Sequence, residues 1–230
     1  MPDSPDPQVA IPDYLTRVYW WAYVHPRAVS LFERQWLVNL ILWGNFAGLR
    51  DAALGALDQG AQGRTLQIAC VYGDLTPRMV ERLSPGARLD VVDILPIQLR
   101  NLAAKLVNAN SVTLIHGDSA ALPCASAHYD RALLFFLLHE LPEEVRRRTL
   151  AEALRVIRPG GQLIIVDYHR PHLLHPLHLP MAAILGALEP FALDLWRHEI
   201  THWLPAIPAV AAISKRTCFG GLYQIVSITV

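Results

Sequence analysis

Acidic and imidazole side chains recur behind short apolar runs: Gly73-Asp74, Asp93, Gly117-Asp118, His139-Glu140, and Asp167 with His169. Asp93 follows Gly73 by 20 residues. An acid at that distance beyond a glycine turn is the ribose clamp of nucleotide-binding βαβ units, because one carboxylate accepts from both ribose hydroxyls. Asp118, directly after Gly117, is placed to receive an adenine amine.

A second constellation points elsewhere. His198-Glu199-Ile200-Thr201-His202 matches the HExxH zinc-peptidase signature. One helix bracketed by Pro190 and Pro205 would put both imidazoles on one face. Catalytic zinc needs a third protein ligand, and residues 203–230 contain no Asp, Glu or His. The motif is therefore read as a decoy.

The elements that must position these groups alternate. Helices are expected from Pro26 to about Trp43 and from Leu49 to Leu57, before a buried strand over Thr65–Cys70. Thr76 with Pro77 reads as cap and first residue of the next helix. Strands follow at Arg88–Val92, Val112–Ile115, Tyr129–Phe136 and Gln162–Val166, with helices at Pro96–Val107 and Pro142–Ile157. Arg158-Pro159-Gly160-Gly161 reads as the stop of the latter helix, and Leu222–Val230 as a last strand. Strands alternating with helices predict an α/β, mostly parallel, doubly wound sheet with its ligand at the strand carboxyl ends. Residues 1–60 are expected to form an aromatic-rich helical cap, and 61–230 a Rossmann-like domain with a helical insertion near 171–213.

Composition narrows the classes. Of 230 residues, 53% are hydrophobic and 17% charged, against roughly 25% charged in ordinary soluble domains. Twenty basic residues balance twenty acidic ones, which argues against a nucleic-acid binder and against polybasic membrane anchoring. Cys70, Cys124 and Cys218 form no CxxC pair, so no disulfide framework or cysteine zinc site is indicated. The start of the chain lacks the basic and apolar regions of a secretory signal, and a cytoplasmic setting is expected. The stretch Pro171–Leu188 has no Asp, Glu, Lys or Arg, but its three prolines argue against a spanning helix. That stretch and the aromatic cluster of Tyr14, Tyr19, Trp20, Trp21, Tyr23 and Phe32 suit either core packing or contact with a membrane surface.

Gly117-Asp118-Ser119, Leu122-Pro123, His139-Glu140-Leu141-Pro142 and the run Leu154 to Gly161 resemble class I S-adenosylmethionine methyltransferases of the quinone-biosynthesis branch. The resemblance implies a seven-stranded class I methyltransferase-like Rossmann fold. One motif departs. Where that family reads acid-x-Gly-x-Gly-x-Gly, this chain has Gln67, Ile68, Ala69, Cys70, Val71, Tyr72 and Gly73.

Tyr14-Leu15, Tyr19 to Tyr23, Phe32-Glu33-Arg34, the loop from Gln67 to Asp74, and Phe219 to Tyr223 together are similar to the rhodoquinone biosynthesis (RquA) family. That resemblance implies conversion of ubiquinone to rhodoquinone, with S-adenosylmethionine donating the amino group and manganese supporting the reaction. The apolar excess in the aromatic cap and in the stretch after Asp167 suits an enzyme held peripherally at the inner membrane by apolar contact. The resemblance also implies a cofactor site made of Gln67, Ala69, Cys70, Val71, Tyr72, Gly73, Asp93, Ile94, Gln98, Gly117, Asp118, Ser119 and Phe135. Candidate metal ligands are Asp74, Asp118, His139 and Glu140, with Asp167 and His169 behind them, since manganese takes carboxylate and imidazole. His139, Asp118 and Asp74 are the expected catalytic residues, with His139 as base because an ordinary imidazole titrates near neutrality. Asp118 alternatively binds only adenine or ribose, and His139 alternatively caps a helix. The histidines at 169, 172, 175, 178, 198 and 202 are read either as part of a lid or as surface residues.

Overall fold

The computed structural model describes residues 11–18, 31–57, 63–106, 110–206 and 211–230. The aromatic run from Tyr19 to Tyr23 and the expected helix start at Pro26 lie outside them. The elements run α1 (Asp13–Val18), α2 (Gln35–Ile41), α3 (Phe46–Leu57), β1 (Arg64–Ile68), α4 (Leu75–Glu81), β2 (Arg88–Asp93), α5 (Pro96–Lys105) and β3 (Val112–His116). They continue with β4 (Tyr129–Phe135), α6 (Glu143–Val156), β5 (Ile157–Tyr168), α7 (His178–Leu188), α8 (Asp194–Arg197), β6 (Ala212–Cys218) and β7 (Tyr223–Thr229).

The strands form one seven-stranded sheet in the order β3-β2-β1-β4-β5-β7-β6. β1 to β5 run parallel, while β7 pairs antiparallel with both β5 and β6. The order reverses between β1 and β4, which opens a crevice at their carboxyl ends. On β4, between β1 and β5, the run Ala132 to Phe135 is buried throughout. That continuous apolar run is what a parallel strand covered on both faces requires. α3 buries Phe46, Leu49, Ala53, Leu54 and Leu57, one face at helical spacing, against the sheet.

Four local expectations are corrected. Thr76 is not the cap of α4 but lies inside its first turn, because its hydroxyl donates to the buried Gln67 Oε1 at 2.8 Å. Residues 158–161 do not separate helix from strand: β5 already starts at Ile157 and carries them, with a register shift opposite Tyr129 and Arg131. Gly160, at φ +79°, accommodates that irregularity. A strand, β6, begins at Ala212, inside the range expected for the helical insertion. The HExxH stretch is not one helix. α8 ends at Arg197, His198 is extended (φ −131°, ψ 146°), and a separate 3-10 turn spans Ile200–Trp203.

Candidate active site

The site begins where β1 and β2 end. Asp93 is 8% exposed, and its carboxylate accepts the Cys70 N–H and the Leu95 N–H, both at 2.7 Å. Burial pushes its pKa up, against those two bonds, which favour the anion. A carboxylate has about four lone-pair positions, so each oxygen can still accept from a ribose hydroxyl. Asp93 brings that accepting capacity to the wall of a cavity.

The loop after β1 keeps a glycine-like course without its glycines. Ala69 stands at the family's first glycine position and adopts φ +70°. Gly73, at φ +82°, passes so close to Phe46 that a Cβ there would lie 2.9 Å from its ring. Gln67, at the acid position, is fully buried and turned into the protein. Its amide donates to the Ala69 carbonyl at 2.9 Å and its oxygen takes the Thr76 hydroxyl. Glu33, from before α2, accepts from the Gly73 N–H, Asn101 and Lys105, while Lys105 also donates to the carbonyls of Val71 and Gly73. The loop is thus held from the N-terminal segment as well as from α5.

These walls enclose a cavity of about 690 Å3, within the range of small-molecule sites. Of the residues expected to hold a cofactor, Ala69, Cys70, Val71, Tyr72, Asp93, Ile94, Gln98, Gly117, Asp118, Ser119 and Phe135 line it, together with His139 and Glu140. Gln98 donates to the Tyr72 hydroxyl at 2.7 Å. Asp118 accepts the Ala120 N–H at 2.8 Å, and Ser119 bonds Thr149 at 3.0 Å.

His139 is buried between two carboxylates. Its Nδ1 lies 2.9 Å from Asp167 Oδ1, and its Nε2 lies 3.7 Å from Glu140 Oε1. Asp167 is fully buried and also accepts the N–H groups of Leu138, His139 and Tyr168. Burial works against charge on the ring, but Asp167, then Glu140 and Glu189, outweigh it and raise its pKa to about 9. The imidazole is therefore protonated at neutral pH. This corrects its expected role as a neutral-pH base and makes it a proton donor.

Asp74 is not brought to this site. Arg50 Nη1 binds both its oxygens at 2.7 Å and Arg78 Nε lies at 3.3 Å. Partial burial raises its pKa, but the two arginines prevail and hold it below the ordinary carboxylate value. Gln67 and Gly73 likewise shape the loop without lining the cavity. The ligands expected for manganese do not come together: Asp74 is taken by Arg50 and Arg78, away from the cavity that Asp118, His139 and Glu140 line. Among the described residues, no group of three or more His, Cys, Asp or Glu is arranged to hold a metal. His198 and His202 stack at 4.3 Å, while Glu199 pairs with Lys215 and lies 3.8 Å from His169. Those contacts occupy the residues of the HExxH motif.

Several cavity residues had no signal in the motifs. Tyr168, Met181 and Glu189 reach the site only through tertiary packing. The Tyr168 ring meets His139 edge-on at 4.9 Å.

Residues 65–161 match the family model of a methyltransferase domain. Over 109 residues the chain is 34% identical to the ubiquinone/menaquinone biosynthesis C-methyltransferase UbiE of Paracoccus denitrificans, covering 45% of this chain and 41% of that protein. The chain thus spans less than half the length of that curated relative. Among solved structures, a SAM-dependent methyltransferase from Aquifex aeolicus superposes with a TM-score of 0.55 at 14% identity, over 90% of this chain and 99% of that one. The [4+2]-cyclase SpnF superposes with a TM-score of 0.51 at 16% identity, over 78% of each chain. The chain has the methyltransferase-like α/β Rossmann fold, and its residues 65–161 are similar to a methyltransferase domain, with sequence similarity over about half the chain to a quinone-biosynthesis C-methyltransferase.

Proposed function

We propose that this protein binds S-adenosylmethionine and acts on the headgroup of ubiquinone, exchanging a ring methoxy for an amino group to give rhodoquinone. Quinone chemistry is supported by the relatedness to a ubiquinone/menaquinone biosynthesis enzyme. A cyclase with the same fold illustrates that the fold alone does not dictate methyl transfer.

The observation that carries the amino-transfer reading is Gln67. A buried, neutral amide stands where the resembled family has a carboxylate, and both ends of that amide are hydrogen-bonded within the protein. A cofactor ammonium there meets no charge from this residue, so losing its proton to become a nucleophile costs less. Asp93 would hold the ribose, with Asp118 and Ser119 beside the adenine. Glu140, which lines the cavity, would take the ammonium proton.

In the proposed reaction the amine nitrogen adds to the methoxy-bearing ring carbon and methanol leaves. Protonated His139 donates to a quinone oxygen as negative charge develops on it. Loss of the α-hydrogen as a proton then sends its electron pair into the ring, giving the hydroquinone and a carbon–nitrogen double bond. Water hydrolyses that bond, leaving the nitrogen on the ring of rhodoquinol and a 2-keto acid on the former cofactor, and a second ubiquinone takes the two electrons to leave rhodoquinone. No step is routed through manganese, because the expected ligands do not form a site for it.

Mass analysis after incubation with ubiquinone and S-adenosylmethionine labelled with heavy nitrogen on its amino group tests this reading. Label in a lighter quinone supports it. A quinone heavier by one methyl group, with S-adenosylhomocysteine formed, supports the second reading, quinone C-methylation, which the relative's activity favours. Asp93→Asn is expected to weaken S-adenosylmethionine binding at least tenfold in calorimetry, about the worth of one charge-assisted hydrogen bond.

A further inference from the structure

The cavity does not end in a polar surface. Leu31, Leu40, Ile41, Trp43, Ile184 and Leu188 line it and are at the same time 42–64% exposed. They come from three places: the residues around α2, its C-terminal side, and α7. The turn that follows α2 is tied to α7, since the Trp43 indole N–H lies 3.1 Å from Met181 Sδ. Trp36, 60% exposed, precedes Leu40 by one helical turn and extends the same face outward. Neither α2 nor α7 contains an Asp, Glu, Lys or Arg. His178, in the first turn of α7, is the titratable residue on the two helices, and its Nδ1 lies 3.2 Å from the Pro171 carbonyl.

We propose that the α2–α7 face seats on a lipid bilayer by apolar contact, so that the cavity mouth opens into the acyl region. Water-facing rims normally carry charge, and a continuous apolar path from buried lining to exposed rim marks an interaction surface. A lipid occupant is favoured over a protein groove by two features of this rim. It surrounds the mouth of a ligand cavity, and it carries exposed tryptophans, which suit the headgroup boundary. The lack of formal charge on both helices makes the contact independent of anionic headgroups. Entry of a lipid-tailed quinone through this mouth rests on the functional reading above; the docking itself does not.

Sedimentation of the full chain with vesicles of pure phosphatidylcholine tests the docking, at low salt and at about 0.5 M salt, where charges are screened beyond a few ångströms. The expected result is binding in both, reduced at least tenfold by Trp36→Glu. That variant is expected to retain S-adenosylmethionine binding and turnover of a short-tailed, water-soluble quinone. Ile184→Glu, with S-adenosylmethionine binding as the check on folding, is expected to lower vesicle binding as well. The proposal is overturned by failure to bind, by binding to anionic vesicles alone with release in salt, or by a dimer that Trp36→Glu dissociates. Vesicle binding without turnover of any quinone leaves the docking face standing and counts against the quinone reading alone.

Discussion

His139 Nδ1 and Asp167 Oδ1 face each other at 2.9 Å inside the protein, with both side chains buried. The pair sits where β4 and β5 end, and Tyr168 closes over the ring. Because the folded pKa of His139 is raised to about 9 from its ordinary 6.5, the pair's contribution to stability has a definite pH window. It is fully present below about pH 6.5 and is lost as pH rises through about 9. Urea unfolding across that range is expected to show falling stability, with the fall abolished in Asp167→Asn. That variant is also expected to cost about 3 kcal/mol at neutral pH, because a buried ion pair loses one partner. A protonated His139 acting as donor further predicts turnover that declines above about pH 9.

Gln67→Glu separates the two chemistries. A carboxylate there would clamp an ammonium and raise its pKa. Amino transfer is expected to fall at least tenfold, about 1.4 kcal/mol, while S-adenosylmethionine binding is retained or tightened. If amino transfer instead persists undiminished in a folded Gln67→Glu variant, the neutral amide has no part in it.

The cofactor loop makes two opposed predictions at neighbouring positions. Ala69 holds φ +70° with a side chain attached, so Ala69→Gly is expected to stabilise by about 1 kcal/mol. Gly73 combines φ +82° with the close approach of Phe46, so Gly73→Ala is expected to destabilise by about 2 kcal/mol and to weaken cofactor binding. Thermal melts of the two variants read both signs.

By position Asp74 is a reasonable catalytic candidate, yet its carboxylate is engaged by Arg50 and Arg78. Asp74→Asn is expected to leave turnover within about twofold and to cost about 1 kcal/mol of stability, the range of a partly exposed ion pair. Loss of turnover with the cofactor still bound would return Asp74 to the chemistry.

Periodicity and turn residues were enough to read the strands at Arg88, Val112 and Tyr129 and the doubly wound class, because a buried parallel sheet demands continuous apolar runs. The 20-residue step from Gly73 to Asp93 placed an acid at the end of β2 and on the cavity wall, because one βαβ unit has a nearly constant length. Chain order alone could not decide which candidates meet. Asp74 and His139 both follow strand ends, but the fold delivers arginines to one and a buried aspartate 28 residues away to the other. The HExxH spacing was legible, while the break at His198, which keeps the stretch from being one helix, was set by packing. Charge state followed the same division. The identity of His139 was written in the chain, but its protonation came from Asp167, because pairwise electrostatics and burial depend on distance in space.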